Sequence, residues 1–296
     1  MGKTDIVPGH ASLKDFYYWI NERHRIWMKR FELKRKKPWS DDPIFQKWKF
    51  TNVFRELDRG TIALRKMTEW AGPFNSPIPA DLLLFNIVWY RLFNWIENAS
   101  EVRFVEHPDI LEERIRKRFV NGHRIFTNAH MTVGLAGELK HNTMVRTARA
   151  IFQDRQKLVE FCRYKSLKLI FEKLQDYIGI GRFIAYEMVS DFRWYGSLLY
   201  DAEDIMSWVN IGPGCDRGLR RLGFPSNIDS IKELHHKALE HFDIDTGLHA
   251  HYWIRDTPTE YPPFELREIE HSLCEFDKYQ RAKTGVGTPR MKFNGI

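Results

Sequence analysis

Cysteine is scarce in this chain. Cys162, Cys215 and Cys274 are the complete set, they lie far apart, and none belongs to a CxxC pair. That scarcity excludes a disulfide framework and argues against a zinc site or a four-cysteine iron–sulfur cluster. A reduced, intracellular setting is the expectation. Long apolar runs are missing too. The longest, Leu82–Trp95, is interrupted by Asn86, Arg91 and Asn94 and is too short to span a bilayer. The opening residues, MGKTDIVPGH, lack the apolar centre of a signal peptide, so a soluble chain with no membrane partner is expected. No strand run and no internal repeat can be found. The expected class is all-α.

Positive charge and aromatic side chains are what the sequence has in quantity. Its 296 residues can bury a full core, as one large domain or as two lobes. A net charge of +7 points to an anionic partner; ten tryptophans are many, and core packing accounts for most of the aromatics while base-stacking surfaces draw on the same supply. The charge is uneven. Residues 12–35 place Leu13, Phe16, Tyr17, Ile20, Trp27 and Phe31 on one helical face and Arg23, Arg25, Lys29 and Arg30 on the other, followed by Lys34, Arg35, Lys36 and Lys37. A solvated helix end and a phosphate-steering surface both fit that run. From Lys278 onward there are five Lys/Arg and no acid, and the tail 280–296 is expected to be mobile. Acids within Glu240–Glu270 give the molecule a negative side.

Apolar spacing places further helices. One is expected from about Pro43 to Trp70, after the turn Ser40-Asp41-Asp42-Pro43, and a strongly apolar one over Asp81–Asn98. Others are expected at Leu111–Phe119, from Asn142 to Tyr177 with a break near Arg155, at Cys215–Leu222, at Ile231–Phe242 and at Phe264–Tyr279. Phe126–Gly137 reads as irregular. Between Leu167 and Tyr195 two short helices flank Gly179-Ile180-Gly181, which is read as a tight turn because two glycines permit positive φ. Such a hairpin aims backbone N–H groups at one spot, as a phosphate requires. It resembles the helix-hairpin-helix element with which DNA glycosylases grip a strand, and a plain corner in a helical core fits the same residues.

The stretch Lys49–Arg59 is unusual. Phe50, Val53, Phe54 and Leu57 make an apolar stripe, and Asn52, Arg55, Glu56 and Arg59 recur three or four residues apart, so on a helix they share the other side. Within its longer frame, PWSDDPIFQKWKFTNVFRELDRGT, it resembles the α-glutamyl/putrescinyl thymine pyrophosphorylases, which are related to 5-hydroxymethyluracil DNA kinases. Three further stretches match the same pattern: Arg91-Leu92-Phe93-Asn94, the Gly212–Leu219 loop (GPGCDRGL) and Leu273–Tyr279 (LCEFDKY). The resemblance covers about Phe16 to Phe293.

That resemblance implies a single catalytic domain over 1–296 with a helix-hairpin-helix glycosylase-like fold, two helical lobes and a DNA cleft. It implies a phage enzyme of the host cytoplasm that hypermodifies thymine as a defence against restriction. The implied reaction puts an amino acid, glycine as first guess, onto 5-phosphomethyl-deoxyuridine in double-stranded DNA and releases phosphate or pyrophosphate. No cofactor beyond the amino acid is then needed. A 5-hydroxymethyluracil DNA kinase is the alternative and would need ATP and Mg²⁺, although no GxxxxGK[ST] loop is present. A base-excising glycosylase and a non-catalytic DNA-binding module are the other readings.

Chemistry narrows the candidates for such a site. The base must leave the stack, the phosphate must be held and the amine deprotonated. Asn52, Arg59, Arg91, Asn94, Arg217 and Lys278 are the candidates for phosphate and base. Arg55 with the carboxylates Asp58, Asp191, Asp204 and Glu275 are the catalytic candidates. Asp204 lies 23 residues past Gly181, near the offset at which glycosylases place an aspartate, and a helix cap or ion pair is the competing role. Gly179, Gly181, Gly212, Gly214 and Arg281 are the candidates for backbone grip. Cys274 as a nucleophile competes with a buried structural thiol. The pairs His235-His236 and His249-x-His251 lack further ligands, and no metal is expected.

Overall fold

A computed structural model describes residues 10–70, 72–127, 132, 134–241, 264–286, 289 and 292–293. The described residues are helical and contain no strand, only an isolated bridge between Trp48 and Lys292. They fall into two compact units. The first takes the described residues of Met1–Arg55, Ile205–Pro258 and Pro263–Ile296, and the second those of Glu56–Asp204. The acidic side over Glu240–Glu270, the His249-x-His251 pair and the turn before Phe264 lie largely or wholly outside the described residues.

In the first unit, α1 (Leu13–Trp27) begins at a capping box in which Ser12 and Asp15 satisfy each other's backbone N–H groups. A wider π-type turn, Met28–Glu32, follows it. In α2 (Pro43–Lys47), Asp42 caps the N-terminus and Pro43 occupies the first turn, where its missing N–H costs nothing. α10 (Pro213–Arg221), α11 (Ile228–Glu240) and α12 (Leu266–Thr284) complete the unit. Helix α12 is its axis, with α1, α2, α10 and α11 packed around it. Phe16 meets Phe276 edge-on at 5.3 Å, and Phe45 lies 5.3 Å from both Phe50 and Tyr279. Tyr18 and Tyr279 both donate to Asp42, which ties α1 and α12 to the start of α2.

The second unit is built on α4 (Ala80–Phe93), where every residue from Leu83 to Phe93 is buried. A helix apolar all round must be enclosed, and α5 (Ile96–Glu101), α7 (Lys140–Cys162) and α9 (Arg182–Phe192) pack against it. α3 (Arg59–Met67), α6 (Pro108–Val120) and α8 (Leu167–Leu174) form the remainder. Asn86 carries the one amide in the middle of α4. It donates to the carbonyls of Leu82 and Val105 and accepts from Trp89 Nε1 and Val105 N, so its burial leaves nothing unmet.

Several expected helices are cut differently. The stretch read as one helix from Pro43 to Trp70 is α2, a single 3₁₀ turn at Arg55–Leu57, and α3. Tertiary hydrogen bonds override the local spacing, because Arg23 takes the carbonyls of Phe50 and Thr51 and Glu275 takes the N–H of Thr51. Asn52, Arg55, Glu56 and Arg59 therefore do not share a helix face. The apolar stripe is nevertheless correct, since Phe50, Val53, Phe54 and Leu57 are all buried. The helix expected over Asp81–Asn98 stops at Asn94, which adopts positive φ (47°). The long helix after Asn142 breaks at Arg163 rather than near Arg155. The basic tail is helical as far as Thr284, where Gly285 at φ 73° ends α12. Lys292 and Phe293 then return alongside Lys47 and Trp48.

His24 is wholly buried in α1, 5.7 Å from Trp27 with the rings stacked and 5.5 Å from Phe54 edge-on. Burial, reinforced by the charge of Arg23, depresses its pKa to about 3. An unfolded chain binds the proton near pH 6.5, so between those values the unfolded state is the more protonated and stability falls as pH falls. Acidification below pH ~6.5 is expected to cost up to about 1.4 kcal/mol per pH unit from this residue alone. Urea titrations at pH 7 and 5 test this. His24→Phe should flatten the loss, and an unchanged pH dependence would rule His24 out as its source.

Candidate functional site

The candidate residues gather in two groups, one in each unit. In the second unit Arg91 is buried and fully committed. Its Nε and Nη2 fork the carboxylate of Asp191, the Nη2 bond measuring 2.7 Å. Nη1 donates to Asn94 Oδ1 at 3.0 Å and Nη2 also reaches Thr61 Oγ1 at 3.2 Å. Glu187 lies 3.8 Å away. The attraction of Asp191 and Glu187 outweighs the desolvation that opposes charging, and the guanidinium stays ionised. Each guanidinium nitrogen has a protein acceptor, and Asp191 is engaged as an ion-pair partner.

Asp204 is a helix cap. Its carboxylate accepts from Ser166 Oγ at 2.8 Å and from the N–H groups of Leu167 and Lys168 at 2.7 and 3.0 Å, closing the first turn of α8. The hairpin between α8 and α9 is present. Gly179 alone uses positive φ (79°), whereas Gly181 is an extended N-cap at φ −89° with open space around it. Thr147 Oγ1 anchors the turn by donating to the Ile178 carbonyl at 2.6 Å. Gly181, Arg182 and Phe183 face solvent. Asp58 is the residue before α3 and Arg59 its exposed first residue.

In the first unit the motif loop and α12 are joined. Glu275 accepts from Thr51 N at 3.0 Å and from Lys278 Nζ at 2.5 Å, and Lys278 lies 4.9 Å over the Phe50 ring. Arg23, on α1, donates to the backbone on one side of the loop and to Asn52 Oδ1. Glu275 and Lys278 thus hold the loop against α12. Arg55 closes the loop, half-buried where the first unit ends.

Two residues past Glu275 on α12 stands Asp277, completely buried, with three guanidiniums on its carboxylate. Arg217 Nε donates to Oδ2 at 2.9 Å, Arg221 Nε to Oδ1 at 2.8 Å and Arg281 Nε to Oδ2 at 3.1 Å. Glycine makes the approach possible. A Cβ at Gly218 would stand 2.5 Å from the Leu273 carbonyl oxygen, and one at Gly214 would stand 2.3 Å from Cys274 Sγ. Gly212, the extended N-cap of α10, has no such neighbour. With Gly214 and Gly218 on one face, α10 lies directly on α12 and brings Arg217 and Arg221 within reach of the aspartate. The sequence reading named Arg217 and Arg281 but missed Asp277, Arg221 and Arg23. The i,i+4 pairs Gly214/Gly218, Arg217/Arg221 and Asp277/Arg281 were the available signal.

Cys274 is exposed as a residue, yet its sulfur lies against Gly214. Desolvation and the carboxylates of Glu275 and Glu270 push its thiol up to about 12, the wrong direction for a nucleophile. His235 stacks on Phe264 and hydrogen-bonds its carbonyl at 2.9 Å. Among the described residues no group of three or more His, Cys, Asp or Glu is arranged to hold a metal ion. A second cationic feature runs past the end of α1. Lys34, Arg35, Lys36 and Lys37 are exposed and have no acidic partner among the described residues. Arg30 lies over Phe31 at 4.6 Å and over Trp39 at 5.1 Å, and Lys37 lies over Trp39 and Phe293 at 5.4 and 5.9 Å.

These features define an all-helical chain with paired arginine–carboxylate centres and a cation-rich, aromatic surface. A family model described as 5-hmdU DNA kinase, helical domain, matches residues 10–287, and the chain belongs to that family. It is similar to the 5-hmdU DNA kinase of Bacillus phage SP10, at 28% identity over 295 residues, covering 88% of this chain and 44% of that protein. The chain thus spans less than half the length of this relative. No solved structure matches. No helix among the described residues is long and apolar enough to cross a membrane.

Two substitutions test this assignment of roles. Asp191→Asn removes the carboxylate that forks the buried Arg91, leaving only the more distant Glu187 as counter-charge, and is expected to cost about 3 kcal/mol in denaturant unfolding. A loss under about 1 kcal/mol would mean the pair is not structural. Gly218→Ala drives a methyl into the Leu273 carbonyl and is expected to cost about 1–3 kcal/mol. Gly181→Ala, with open space around it, serves as the control and should stay within about 0.5 kcal/mol.

Proposed function

We propose that this chain phosphorylates the 5-hydroxymethyl group of deoxyuridine in DNA. The family match over residues 10–287 is the observation that carries this reading. In the reaction the hydroxymethyl oxygen attacks the terminal phosphorus of a nucleoside triphosphate. A new P–O bond forms, the bond to the diphosphate breaks and the hydroxyl proton passes to a base. One contribution of the chain's surface is to hold the DNA. The cations Lys34–Lys37, without an acidic partner among the described residues, attract the polyanion, and the exposed Phe31 ring beside them offers a surface for an unstacked base.

Amino acid transfer is the second reading, favoured by the Pro38–Thr61 stretch quoted above. There an amine nitrogen attacks the 5-methylene carbon, the C–O bond to phosphate breaks, and the amine proton leaves to a base. Either reaction presents a phosphorylated methyl group on a base, so both ask the protein for the same oxyanion recognition.

Nucleoside mass spectrometry separates the two. DNA containing 5-hydroxymethyl-deoxyuridine, incubated with the chain, ATP and Mg²⁺, is expected to gain one phosphoryl group per modified base. DNA already carrying 5-phosphomethyl-deoxyuridine, incubated with pooled amino acids, is expected to stay unchanged. The reverse pattern would establish the transferase, and an abasic product would establish a glycosylase.

A further inference from the structure

The geometry points to a phosphate-binding clamp formed by Arg217 and Arg281 on the buried carboxylate of Asp277. Three guanidiniums converge on that carboxylate, each through Nε. Beside the enclosed Arg221, the carboxylate takes two further guanidiniums that stay part-exposed. One arginine suffices to pair a carboxylate, and each further guanidinium on it adds mutual repulsion. An incoming dianion or a pair of phosphodiester oxygens would relieve that repulsion.

The arrangement leaves the necessary donors available. Arg217 and Arg281 are 42% and 31% exposed, while Arg221 and Asp277 are enclosed. Nε is the only atom of Arg217 and of Arg281 with a protein partner among the described residues. Their Nη1 and Nη2 groups are therefore uncommitted on part-exposed side chains, four nitrogens on two planar forks that Asp277 holds through Nε. Guanidinium forks bind phosphate oxygens two at a time, and pre-orientation lowers the entropy cost of doing so. Two neighbouring acids among the described residues are already engaged. Asp216 is paired to Arg220 at 3.1 Å, and Glu275 to Lys278.

The chemistry recognised is a phosphate oxyanion, and its source is either the DNA backbone or a free nucleotide. The DNA source rests on the function proposed above, whereas the clamp itself does not. Arg217→Lys with Arg281→Lys keeps the charge, allows each ammonium to pair with Asp277, and removes both forks. Thermal unfolding confirms that the double variant is folded. Duplex DNA binding is read by fluorescence anisotropy at fixed salt, and ATP and inorganic pyrophosphate binding by calorimetry, all with the full chain. A loss of about 10-fold or more in duplex affinity places the clamp on the DNA backbone. The same loss for ATP and pyrophosphate, with the duplex unaffected, places it on a free nucleotide. Arg220→Lys, on the same helix but paired to Asp216, is the control and should change neither. If both affinities stay within about twofold of the parent, or if the parent binds neither ligand, the clamp is overturned. Wild-type protein that binds a ligand through these arginines yet phosphorylates no hydroxymethyl base would refute the proposed function and leave the clamp standing.

Discussion

Pairing of buried charge is the constraint on which both units depend. An isolated guanidinium or carboxylate cannot remain ionised in an apolar interior unless a counter-charge and hydrogen bonds replace the lost water. In the second unit this condition fixes α4 against α9, because Arg91 on one and Asp191 on the other meet only in one register. In the first unit it fixes α10 against α12 through Asp277. Apolar contacts supply most of the favourable energy in each case, but they tolerate sliding and rotation that a bidentate ion pair does not. Asp42 and Glu275 act in the same way, as polar ties between α12 and the segments around it.

How much of this was legible in the sequence depended on the range of the interactions. Apolar periodicity gave the helical class, the burial of α4 and the stripe Phe50, Val53, Phe54 and Leu57, because side-chain spacing is a local property. Helix ends with a strong cap or a breaker were placed well, as at Asp42-Pro43. The stretch Lys49–Asp58 was misread as helix because its geometry is imposed by Arg23 and Glu275, which are remote in sequence. Asp204 shows the same limit from the other side. Its offset from Gly181 suggested catalysis, and only the fold reveals that it caps α8. Family resemblance reached further than spacing, since it singled out Arg217 and the Leu273–Tyr279 stretch before any packing was known.

Arg91 and Arg217 began as equal candidates, and the geometry separates them. Every nitrogen of the Arg91 guanidinium that can donate is spent on a protein acceptor, so a ligand phosphate would have to displace an existing bond within a closed core. Displacement would return little, because the bond lost is as strong as the bond gained. Arg217 spends only Nε, and its opposite edge is solvated. The distinction is general for arginine, whose fork has two edges and can serve a structural acceptor and a ligand together. Lysine has no such division of labour. In α10 two glycines and two arginines recur at the same four-residue spacing. The glycines set the interhelical distance at which one carboxylate can hold several guanidiniums through Nε.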